Sequence, residues 1–218
     1  MMAKHNLHMK RLLFLIGMTM IVMVPASLAV ELHDNSPPVT FSIEQDYDIR
    51  DCVLEAAYES IGVTEVGGSN RGKDVESYLA TVKFGPGAAW CGAWYANRLS
   101  QCISITDMEQ YMPISHYAYT PNYTKHEDAI IWKSWTREKF TYSKHRPPRS
   151  GDAFLLWNKR LNRIAHVGMI DYWSPGTRLV TIEGNTNDEG SRDGDGVFVR
   201  YRDKRQIHAV VDVITFIT

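Results

Sequence analysis

From Gly151 onward the chain falls into five short runs: DAFLLWN (152–158), AHVGMIDYW (165–173), TRLVTIEGN (177–185), VFVRYR (197–202) and IHAVVDVITFI (207–217). Each is rich in β-branched and aromatic residues and bounded by turn residues, which predicts strands. Ahead of them the pattern is helical. Val53, Leu54, Ala57, Tyr58 and Ile61 form one apolar stripe, ended by Gly62. Val75, Tyr78, Leu79 and Val82 form a second, with Ser69 or Asn70 as its expected cap. After the Gly/Pro loop FGPGAAW (84–90), Cys91 opens a third segment, whose Trp94, Tyr95, Leu99 and Cys102 suit a buried helix with Cys91 in its first turn. Helices first and strands afterwards predict an α+β fold, with N-terminal helices packed on a C-terminal antiparallel sheet. Residues 103–150 carry many aromatics and one expected helix near 125–139, and most of those rings are assigned to packing.

The N-terminus has the anatomy of an export signal. Lys10 and Arg11 precede the apolar run 12–24, and Ala26-Ser27-Leu28-Ala29 supplies small residues for cleavage after Ala29. The run is too short for a spanning helix, so no stable membrane anchor is expected after cleavage, and the destination is secreted or periplasmic. This divides the chain into a signal peptide (1–29), a Pro-bearing leader (30–46) and one domain (47–218) with an insertion around 103–150. With 24 basic and 25 acidic side chains, both spread along the sequence, nothing favours nucleic acid as a partner. Removing 1–29 takes away Lys4, Lys10 and Arg11 and no acid, leaving a mildly acidic domain expected to be a monomer.

Three cysteines in an oxidising compartment leave one over. We expect a Cys52–Cys102 bridge with Cys91 free, although spacing alone does not exclude three reduced, buried thiols. No CxxC pair or clustered histidine suggests zinc. The stretch 187–196 (NDEGSRDGDG) is oxygen-rich, but it lacks an EF-hand's closing Glu and reads as a solvated turn. Neither a metal nor a cofactor is expected.

A thiol at a helix N-terminus, beside an imidazolium, is driven toward the reactive thiolate. Cys91 and His166 are the residues for such a pair, and a third group must orient the imidazole. A hairpin turning at Pro175-Gly176 puts His166 opposite Asn185 and Gly168 opposite Glu183, all on one sheet face. Either Glu183 or Asn185 is then within reach of His166.

The segment 65–99, containing AAWCGAW, followed by GD at 151–152, AHVGMI at 165–170 and TIEGN at 181–185, resembles the CHAP branch of the papain-like NlpC/P60-related peptidoglycan hydrolases. The resemblance implies an NlpC/P60-type fold and a cysteine amidase or endopeptidase that cleaves amide bonds of cell-wall peptides through a thioester on Cys91. His166 would be its base, with Glu183 and Asn185 as orienting groups. Trp90, Asn70 and Arg192 are expected to contact the peptidoglycan peptide. The alternatives are a non-catalytic wall- or protein-binding module, or a cysteine acyltransferase or effector toxin using the same site. A free, low-pKa Cys91 favours an enzyme and a disulfide-locked one favours binding.

Overall fold

A computed structural model describes residues 43–134, 140–142, 146–187 and 194–217. The expected signal peptide and Arg192 lie outside them. Helix α1 (Ile43–Glu59) is followed by α2 (Lys73–Thr81), α3 (Cys91–Ser100) and α4 (Ile105–Tyr111). After three short 3-10 turns come strands β1 (Ile130–Ser134), β2 (Phe140–Tyr142), β3 (Ala153–Asn158), β4 (Arg163–Tyr172), β5 (Arg178–Thr186), β6 (Gly196–Asp203) and β7 (Ile207–Val211), then a last helical turn, α5 (Val213–Ile217). The strands form one sheet in the order β2-β1-β7-β3-β4-β5-β6, with every pair antiparallel. The α+β architecture, helices first and antiparallel sheet last, is therefore present. Among the described residues no helix is long and apolar enough to cross a membrane.

Local details differ from the sequence reading for identifiable reasons. α1 buries Arg50, Val53, Ala56, Ala57 and Ser60, while Tyr58 and Ile61 face outward. The Tyr58 hydroxyl donates to Asp171 Oδ1 at 2.5 Å, a polar use for a residue expected in the core. α2 starts after Gly72 at φ 118°, not after Ser69 or Asn70, and no side chain caps it. The helix expected near 125–139 is absent from the described part of that span. Its Ile-Ile-Trp run pairs with β7 as strand β1, so β-propensity together with a waiting partner strand overrides the helical expectation. The last expected strand stops at Val211, because the Asp212 carboxylate turns back to accept from the Thr215 amide at 3.1 Å.

α3 is apolar nearly all round, with Cys91, Gly92, Ala93, Trp94, Tyr95, Ala96 and Leu99 buried, the signature of a helix enclosed by its own domain. Two glycines allow the enclosure. A Cβ on Gly92 would lie 2.2 Å from the Tyr117 carbonyl oxygen, and one on Gly184 of β5 would lie 2.5 Å from Trp94 Cγ. Trp94 is the core residue expected, its indole N–H donating to Ser60 Oγ at 3.0 Å. On the helical side of the sheet Leu155, Val167, Met169 and Ile182 join this core. Phe154, Ile170, Leu179 and Val210, at alternating positions, form a second cluster.

Two further clamps close the domain. Arg50 reaches Asp152 (2.9 Å) and Asp212 (2.5 Å), and Arg146 binds both carboxylates from the other side. Such a cluster is tolerated because each buried charge meets its opposite. Cys52 and Cys102 are disulfide-bonded across 50 residues of sequence, tying α1 to the end of α3. Closing a loop of that length removes entropy from the unfolded chain. The double variant Cys52→Ser/Cys102→Ser should therefore lose about 2–4 kcal/mol of stability. Urea unfolding should show this loss, and added reductant should lower the parent's midpoint but not the variant's.

Candidate functional site

The loop 84–90 delivers the chain to α3, whose first hydrogen bond runs from the Trp94 amide to the Trp90 carbonyl at 2.8 Å. The amides of Cys91, Gly92 and Ala93 consequently have no acceptor inside the helix. Gly92 donates its amide to the Cys91 sulfur, and so does Val167 of β4. That second donor is available because the β4–β5 ladder ends, on this side, at Met169↔Ile182. Beyond that pair the sulfur takes the amide that a continuing ladder would use.

The register Met169↔Ile182 brings Gly168 beside Glu183: a Cβ on Gly168 would sit 2.9 Å from Glu183 Cγ. The hairpin reaches it with a wider loop than Pro175-Gly176 alone, and a bulge between Ile170 and Tyr172 absorbs the difference. His166 Nε2 donates to Glu183 Oε2 at 2.8 Å. Its other ring nitrogen, Nδ1, is buried without a conventional hydrogen-bond partner, which leaves it for the Cys91 sulfur that interacts with this ring.

Glu183 is fully buried, yet ionised. Arg202 of β6 grips it with two bonds, Nε to Oε1 and Nη2 to Oε2, each 2.5 Å, and Thr181 Oγ1 donates to Oε1 at 2.6 Å. Burial pushes this carboxyl up, but Arg202 and His166 outweigh it and bring its pKa down to about 2. For His166 burial works against the charged ring, while Cys91 and Glu183 together raise it to about 9. Burial likewise works against a Cys91 thiolate, but the His166 ring and the two amides lower its pKa below the usual thiol value. The four side chains, Cys91, His166, Glu183 and Arg202, form a connected chain in which each charged group favours the charged form of the next.

Arg202 and Thr181 were not singled out in the sequence. A signal existed: Glu183 pairs with Phe198, so Arg200 and Arg202 follow on the same face of β6, and a carboxylate on a buried strand requires a cation. Asn185, at φ 56°, has a different role from the one expected. With its amide oriented to satisfy both ends, its oxygen accepts from the Trp90 amide (3.0 Å) and its nitrogen donates to the Gly194 carbonyl (2.8 Å). It anchors the residue before Cys91, and of the two expected orienting groups Glu183 is the one bonded to the imidazole. Trp90 is fully buried, its indole N–H donating to Glu65 Oε1 at 2.8 Å, which removes it from any substrate surface. The Asn70 amide donates to the other oxygen of the same carboxylate at 2.7 Å, so Asn70 shapes the loop there.

No family model, curated protein or solved structure matches this chain. The expected assignment as a peptidoglycan-cleaving cysteine hydrolase of the CHAP and NlpC/P60 group is corrected on that finding and on the site itself. Two of the three cysteines are consumed in the disulfide, and the third is buried. Cys91 is 5% exposed, His166 3% and Glu183 not at all. Neither of the two cavities characterised in the structure is lined by any of them. A wall peptide strung on glycan requires an open cleft over the sulfur, and among the described residues Cys91, His166 and Glu183 are almost fully enclosed. Among the described residues no group of three or more His, Cys, Asp or Glu side chains is arranged to hold a metal ion.

The pKa shifts set two outcomes. A carboxyl whose pKa falls from 4.5 to about 2 on folding stabilises the fold above its unfolded pKa, and that contribution is lost as the pH drops toward 2. Urea midpoints measured from pH 6 to pH 2 should fall steeply for the parent and less steeply for Glu183→Gln, which has no proton to gain. Cys91, whose pKa lies below that of a free thiol, should be alkylated slowly by a small reagent in the folded protein, with a pH profile displaced to lower pH than in the urea-unfolded chain. His166→Ala should move that profile back up.

Proposed function

We propose that this chain is a cysteine acyltransferase that moves an acyl group from a slender carboxamide donor to an amine. The observation that carries the reading is the charge chain Cys91–His166–Glu183–Arg202, in which burial opposes the thiolate and imidazolium forms and their partners restore them. Titratable groups perturbed by burial and restored by specific charged partners cluster at functional sites. The same burial that excludes a polymeric substrate also limits water, so a thioester formed here would meet a bound amine more readily than bulk solvent.

In this reading the Cys91 thiolate attacks the donor carbonyl, forming the C–S bond. The His166 imidazolium then gives its proton to the departing nitrogen as the C–N bond breaks. Neutral His166 next takes a proton from the incoming amine, whose nitrogen attacks the thioester and returns Cys91 as thiolate. The amides of Cys91 and Ala93, which have no acceptor inside α3, are suited to hold the negative oxygen of each tetrahedral intermediate. Glu183 keeps the imidazole oriented through Nε2, and Arg202 with Thr181 keeps Glu183 in position. A glutamine side chain, a primary carboxamide at the end of a slender stem, is the donor class this proposal names.

A second reading, a wall- or protein-binding module with Cys91 in a structural role, is favoured by the near-complete burial of that thiol. The two separate in one experiment. Protein is incubated with a glutamine-bearing peptide and a primary amine, and products are followed by mass spectrometry. Acyl transfer predicts an amine-linked peptide that disappears in Cys91→Ser and falls by about 10²-fold or more in His166→Ala, the range for removing a general base. Absence of product, together with co-sedimentation on purified peptidoglycan that Cys91→Ser leaves intact, would sink the enzyme reading in favour of binding.

A further inference from the structure

Away from Cys91, strands β1, β3, β4 and β7 border a cavity of about 340 Å³. Its base is apolar, with Ile130 and Ile164 among the residues beneath it. One wall is Trp157 packed against His208, their ring centroids 5.1 Å apart. Lys133 and Arg163 also line it, and among the described residues no acidic side chain does.

Three features of this cavity call for a ligand. Trp157 is 44% exposed, leaving a large indole partly in water on the wall of an apolar hollow, which forfeits the stabilisation its burial would bring. Arg163 is held in place, its guanidinium 5.2 Å from the Tyr119 ring centroid and Nη1 donating to the Ile164 carbonyl at 2.8 Å. A guanidinium fixed in this way loses little freedom when it meets an anion. Among the described residues the charge lining the cavity is of one sign. The effect reaches His208, whose pKa is lowered by burial and by the neighbouring Lys133 charge. The volume lies in the range of small-molecule sites and is too small for a polymer.

We infer that this cavity binds a small organic anion with a flat apolar ring, the ring lying on Trp157 and its carboxylate meeting Arg163. The site is separate from Cys91, and the inference does not rest on the acyltransferase reading.

The test is calorimetric titration of the purified protein with 2-naphthoate, beside 2-naphthylmethylamine, which has the same ring and the opposite charge. Naphthoate should bind saturably at one site, at least about tenfold more tightly than the amine. Trp157→Ala and Arg163→Gln should each weaken it about tenfold or more, and Cys91→Ser should leave it unchanged. Equal binding of the two probes would overturn the inference, as would no saturable naphthoate binding into the low millimolar range or full affinity in both variants. If a variant fails to fold, nuclear Overhauser contacts in the parent decide. Naphthoate protons should contact the Trp157 indole, and contacts elsewhere alone would overturn the site.

Discussion

An ionised carboxylate cannot stay in a dry interior unless something replaces its water, and Glu183 is replaced on every side. Arg202 supplies two charged donors, Thr181 a hydroxyl and His166 an imidazole N–H. Remove that anion and His166 loses the charge that raises its pKa. The Cys91 thiol would then lose the imidazolium that lowers its own. The electrostatics of the site begin on β6, at a residue that never approaches the sulfur, and pass through β5 and β4 to α3.

The backbone makes the same connection. Because the β4–β5 ladder stops at Met169↔Ile182, the Val167 amide is free to donate to the Cys91 sulfur. Gly184 lets Trp94 press onto β5, and Gly92 lets the Tyr117 carbonyl approach α3. Asn185, one residue past Gly184 and held at positive φ, secures the Trp90 amide just before the helix starts. Substituting a larger residue at either glycine would displace the helix that carries the thiol, so packing and reactivity share the same few positions.

The order of helices and strands was legible because periodicity of 3.6 and of 2 follows from which face of each element is buried, and both are written locally. β1 was misread, since a short apolar run such as 130–134 reads equally well as helix or strand until a partner strand is seen. Tyr58 and Trp90 were misassigned in opposite directions. An amphipathic ring can end in solvent or core according to whether its polar tip finds Asp171 or Glu65, and no local pattern reveals those partners.

Residue identity alone determined that Cys91 would open a buried helix and that His166, Glu183 and Asn185 would lie on neighbouring strands, because register with a period of two allows few alternatives. Only the tertiary structure decided what those neighbours do. It gave the imidazole to Glu183 and the Trp90 amide to Asn185, and it brought Arg202 across from β6. It also enclosed the sulfur among the described residues, which tells against a wall hydrolase. Charge state and access depend on everything within a few ångströms of an atom, and most of that comes from residues distant in the chain.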